Sequence, residues 1–159
     1  MTELTHIGPD GRARMVDIGD KAITERVAVA QGKIGMAATT RTLAMNRETR
    51  KGDPIAIAEL AGIMAAKKTA DLIPLCHPLP LTNVEVRITS SEPDALKVTA
   101  TVRTSGRTGV EMEALTAVSV ACLTLYDMLK SADKEMVISD IELVSKTGGK
   151  SGDYHKENT

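Results

Sequence analysis

The longest apolar stretch of the chain, Thr108–Lys130 (TGVEMEALTAVSVACLTLYDMLK), carries no charge between Ala114 and Tyr126 and has only small hydroxyls among its apolar residues. A helix that is apolar nearly all round is buried on several sides. Its 13 uncharged residues fall short of the roughly 20 needed to cross a bilayer, so the stretch is expected to be the central helix of a soluble protein. Thr108 and Glu111 stand in capping-box spacing at its start. Asp127 and Lys130, three apart at its end, can share a face.

Upstream, 22–30 (AITERVAVA) reads as a strand with Val27 and Val29 on one face, stopped at Gly32. Residues 38–48 suggest a short helix with Leu43 inward, followed by a basic loop over Thr49, Arg50, Lys51 and Gly52. Asp53-Pro54 is a helix start, an N-cap acid before a first-turn proline. Ile57, Leu60, Ala61 and Met64 follow at helical spacing, and Lys67 and Lys68 close the helix. Prolines 74, 78 and 80 exclude a helix interior or central strand over 71–81. Cys76 and His77 are therefore expected in a stiff, extended segment. Residues 83–90 and 95–104 alternate cleanly around the turn 91–94 and predict an antiparallel hairpin. A last strand is expected over 137–145.

The order strand, two helices, two strands, helix, strand predicts an α+β fold. The expected form is an antiparallel sheet packed on one face by two long helices, in a ferredoxin-like arrangement, and oligomeric. One domain over 15–147 lies between a flexible N-terminal tail, 1–14, and a flexible Gly/Lys-containing C-terminal tail, 148–159.

Composition narrows the function. With 20 basic and 21 acidic residues and a net charge of −1, the chain lacks the basic excess of a nucleic-acid or membrane binder. Its only aromatics are Tyr126 and Tyr154, which disfavours base-stacking modules. Cys76 and Cys122 form no CxxC pair, and the start MTELTHIGPDGRARM lacks the apolar run of a signal peptide. Free thiols and a cytoplasmic location are expected. Gly149-Lys150-Ser151 resembles the end of a P-loop, but the motif needs glycine at 144, where this chain has valine. No HExxH, CxxC pair, EF-hand or GxGxxG spacing occurs.

The charged ends of the central helix carry the chemistry. Glu113 and Asp127 point to the same side but are about 21 Å apart along the axis. Either a long substrate lies along the helix, or two sites exist, each completed by another subunit. Glu111 and Glu113 also complement the positive helix start. Asp127, near the negative end, requires Lys130 or a task. Lys51, Lys67, Lys130 and Lys146, with His77, could form a cationic pocket for phosphates. On its own, Cys76 reads as a packed thiol.

The motifs LCHPLPL (75–81), RTGVEMEALTAV (107–118), YDMLK (126–130), DIELVSKTGGKSG (140–152) and MVDIGDK (15–21) resemble the MoaC family of cyclic pyranopterin monophosphate synthases in molybdenum cofactor biosynthesis. The likeness covers essentially the whole chain. It implies a lyase that converts 3′,8-cyclo-7,8-dihydro-GTP, supplied by a radical S-adenosylmethionine enzyme, to cyclic pyranopterin monophosphate with release of pyrophosphate. It implies a homohexamer, a trimer of dimers with interfacial active sites, acting on a small molecule; from composition and motif spacing no cofactor, protein-held metal, nucleic acid or membrane is expected. Carried over, Asp127 is the catalytic acid/base, and Lys130 and Lys51 assist it and hold phosphates. Leu75, Cys76, His77, Met112 and Glu113 bind substrate, with Glu111, Lys67 and Lys146 as further contacts. The alternative from another class is a non-enzymatic oligomeric sensor of a phosphorylated pterin or nucleotide.

Overall fold

The computed structural model describes residues 4–157; the outermost parts of both expected tails, 1–3 and 158–159, lie outside the described residues. The elements are β1 (Thr24–Gly35), α1 (Ala38–Met45), α2 (Pro54–Ala66), α3 (Thr69–Leu72), β2 (Leu81–Ser91), β3 (Ala95–Gly106), α4 (Glu111–Leu129), β4 (Val137–Thr147) and β5 (Tyr154–His155). Five antiparallel strands form an open sheet in the order β2-β3-β1-β4-β5. The expected α+β class and antiparallel sheet are observed. The short helix α3 and the two-residue strand β5, which pairs Tyr154 with Lys146, had no counterpart in the sequence pattern.

Alternation builds the core. On β3 every second residue from Leu96 through Val98, Ala100 and Val102 is buried, and on β1 the same face is carried by Ala28, Ala30 and Ile34. The two long helices cover this face: α4 lies against β1, β3 and β4, while α2 packs beside it and over β2. Ala114, Ala117, Val118, Ala121, Cys122 and Leu125 of α4 are fully buried, which explains its uncharged middle. It is the one helix among the described residues long and apolar enough to span a bilayer, and its burial against sheet and α2 is that of a core helix.

Glycine brings these layers together. A Cβ on Gly32 would stand 2.6 Å from Val118 Cγ1 of α4, and one on Gly62 of α2 would stand 2.9 Å from the Ala117 carbonyl oxygen. Gly32 therefore does not stop β1 as expected. The strand continues to Gly35, and the missing side chain admits the central helix. The helix α2 differs in its buried face. Ile55, Ala58, Gly62 and Ala65 face inward, and Ile57, Leu60 and Met64 are exposed. A helix apolar all round gives no pattern to choose between its faces, and the smaller side chains win because they allow close approach to α4.

Asp53 caps α2 as expected, accepting from the N–H groups of Ile55 (2.9 Å) and Ala56 (3.0 Å). The capping box at the central helix does not form. The helix begins at Glu111 with Val110 at the N-cap position and no side-chain cap, and Glu111 bonds instead to Lys146 of β4.

Gly62→Val tests the helix contact. The added bulk meets backbone as well as side chain, so the substitution should destabilise by about 1–3 kcal/mol, read as a lower urea midpoint with an unchanged slope.

Candidate active site

The site residues fall in two groups, one at each end of α4. At the C-terminal end, Lys130 Nζ lies 2.8 Å from Asp127 Oδ1, and Lys51 Nζ lies 3.4 Å from Asp127 Oδ2 and donates to the Asp127 carbonyl at 2.9 Å. A tight loop delivers Lys51. Thr49 and Gly52 exchange backbone hydrogen bonds, the Thr49 hydroxyl donates to the Gly52 carbonyl at 2.8 Å, and Gly52 sits at φ +104°, in left-handed space. The hydrogen bond from Lys130, its charge and that of Lys51 hold the Asp127 carboxyl below its usual range, and Asp127 in turn raises Lys130. The result is an exposed, ionised carboxylate between two ammonium groups. The ammonium groups are placed to meet phosphate oxygens, and the carboxylate to exchange a proton.

At the N-terminal end lies a cavity of about 360 Å³, a usual size for a small-molecule site. The proline-rich segment supplies Leu75, Cys76 and His77, and the first turn of α4 supplies Glu111, Met112 and Glu113. Glu113 is buried, and desolvation pushes its carboxyl up to about 7. Burial and the nearby Glu113 raise the Cys76 thiol, so it is no activated nucleophile. Lys67 shares a smaller cavity of about 110 Å³ with His77 and Glu113 on the other side. Lys146, on β4, reaches Glu111 Oε1 at 2.9 Å.

A second, polar cavity of about 150 Å³ adjoins the first through Lys21, Thr108, Gly109 and Glu111, and adds Arg26, Lys146 and Ser151. Lys21 and Arg26 were not among the candidates: Lys21 closes the MVDIGDK motif but drew no role, and Arg26 sits in a strand with no local pattern marking it. Gly148 and Gly149 both take positive φ and pass so close to Glu25 and Arg26 that a Cβ on either would collide with them. Gly148 of the GGKS segment thus serves a close backbone crossing with Glu25, while Gly149 lies against the Arg26 guanidinium. Among the described residues no cluster of metal-ligating side chains occurs.

Within one chain Lys51, Asp127 and Lys130 do not meet His77 and Glu113. Fourteen helical residues keep Glu113 and Asp127 about 21 Å apart along the axis.

A family model described as the MoaC family matches residues 15–149. The chain is 56% identical over 156 residues to the cyclic pyranopterin monophosphate synthase of Brevibacillus brevis, covering 97% of this chain and 96% of the relative. It is 55% identical over 161 residues to the protein of that name from Dinoroseobacter shibae, covering 99% and 100%. It is 55% identical over 158 residues to the one from Thermomicrobium roseum, covering 99% and 95%.

The raised Glu113 carboxyl makes stability depend on pH. The folded protein binds the proton more tightly than the unfolded chain, so this contribution is full below about pH 4.5 and is lost as pH rises through about 7. Glu113→Gln should leave the thermal midpoint at pH 4 nearly unchanged and raise it at pH 8, measured by calorimetry.

Proposed function

The chain belongs to the MoaC family and is an enzyme, and from that premise we propose that it converts 3′,8-cyclo-7,8-dihydro-GTP to cyclic pyranopterin monophosphate with release of pyrophosphate. The observation that carries the reading is Asp127 held between Lys130 of its own helix end and Lys51 of the loop before α2, in a chain of this family. The sensor alternative gives way to the relatives' shared name as a synthase.

In this reading Lys51 and Lys130 neutralise the triphosphate and the departing pyrophosphate, charge that grows as the phosphoanhydride breaks. Incoming phosphate competes for both lysines. A carboxylate relieved of their charge becomes a stronger base, so Asp127 can accept and return a proton as the purine-derived ring rearranges. Leu75, Cys76, His77, Met112 and Glu113 hold that ring. The raised Glu113 carboxyl can donate as well as accept near neutral pH. Glu111, Lys146 and Lys67 border the same region and contact the substrate or its phosphates.

The two half-sites are united by assembly as a homohexamer, a trimer of dimers, with each site built at an interface. Two features support this. Single-chain geometry separates the groups, and the outer faces of the helices leave Ile57, Leu60, Met64 and Leu123 exposed. The element order, with β1 and β3 central in the sheet, supports the ferredoxin-like reading.

The test is direct. Purified protein incubated with the cyclised nucleotide should yield pterin product and pyrophosphate in equal amounts. Asp127→Ala should keep the oligomer and lose at least about a hundredfold in turnover, the lower range of general acid–base contributions. Near-normal turnover would remove Asp127 from the role.

A further inference from the structure

His6 was assigned by sequence to a tail, yet its segment has a definite structure. Gly8-Pro9-Asp10-Gly11 is a turn sequence, and it folds as one. The Gly8 N–H donates to the Arg12 carbonyl (2.9 Å), the Gly11 N–H to the Gly8 carbonyl (2.9 Å) and the Arg14 N–H to the His6 carbonyl (2.9 Å), while Gly11 takes φ +75°. Ile7 bridges to Ala13 across this small hairpin. Its placement puts Thr5 and His6 in the wall of the 360 Å³ cavity, together with His77, Met112 and Glu113.

The composition of the chain makes that location informative. There is no Phe or Trp, and neither Tyr126 nor Tyr154 reaches this cavity. A flat fused heterocycle is best held by planar side chains against its faces, and alanine scans of base–ring stacks show each contact to be substantial. Among the described residues the only ring side chains in the wall are His6 and His77. His77 already belongs to the substrate-binding set; the N-terminal hairpin brings the second ring.

We infer that His6 is a substrate-binding residue whose imidazole lies against the guanine-derived ring system and, with His77, forms the aromatic surface of a cavity whose wall carries no larger aromatic residue. This inference rests on the proposed substrate. Stacking is its distinguishing property. His6→Ala removes the plane and the hydrogen-bonding nitrogens, His6→Phe keeps the plane alone, and His6→Gln keeps a polar group alone. His6 is exposed, and the hairpin is held by backbone hydrogen bonds, so the fold and oligomer should be unaffected in all three, as checked by circular dichroism and size.

The experiment is steady-state kinetics of the full-length protein with 3′,8-cyclo-7,8-dihydro-GTP, following pyrophosphate. His6→Ala and His6→Gln should raise KM about tenfold with little change in kcat, and His6→Phe should restore KM to within about threefold of the parent. His155→Ala, in the strand β5 and outside the cavity, serves as control and should match the parent. If the parent turns over while His6→Ala keeps its KM within about twofold, or while Phe is no better than Gln, the inference is overturned and the Asp127 reading stands. If the parent releases no pyrophosphate, the substrate reading fails and the role of His6 fails with it.

Discussion

A buried helix is a rigid spacer, and α4 sets the geometry of this molecule. Its 19 residues rise about 1.5 Å each. Its middle is locked between the sheet and α2 at contacts so close that glycine is required on both sides. Nothing in that packing lets the helix bend enough to bring its ends together. A buried carboxyl at one end and an ionised carboxylate between lysines at the other are therefore permanently apart within a chain.

The two ends differ in their electrostatics as well as their position. Near the N-terminus, where a negative charge is favoured by the helix dipole, burial dominates and Glu113 holds its proton up to about pH 7. Near the C-terminus, where a negative charge is disfavoured, Asp127 is exposed and two ammonium groups keep it ionised. Local environment overrides the dipole at both ends. One carboxyl is suited to hydrogen-bonding a neutral heterocycle, and the other to proton transfer beside two lysines suited to the phosphate end of a ligand. A substrate that joins a ring system to a triphosphate is matched to such a divided site.

Local rules were legible where the cause was local. The Asp53-Pro54 cap, the hairpin 83–104 and the uncharged middle of α4 followed from neighbouring residues alone. The misreadings share a cause: the deciding partner was far away in sequence. Glu111 left its capping box for Lys146, 35 residues on. Gly32 was read as a stop because Val118, which requires it to be glycine, lies on another element. His6, within the expected tail, gave no local sign of the cavity it borders, which is built from residues such as Leu75, Cys76, His77, Met112 and Glu113. The approach of Lys51 to Asp127, 76 residues apart, follows from no spacing rule; only the resemblance paired them in advance.

The central claim is that one chain carries two halves of a site and a neighbouring copy joins them. Mixing two inactive variants tests it most directly: Asp127→Ala, damaged at one end of α4, and His77→Ala, damaged at the other, unfolded together and refolded. With sites shared across a two-fold interface, half of the dimers should be mixed, and each mixed dimer should have one intact site, restoring about a quarter of parental turnover. A mixture as inactive as its components, with mixed oligomers shown by mass spectrometry to have formed, would contradict the account and place both halves of the site in a single chain.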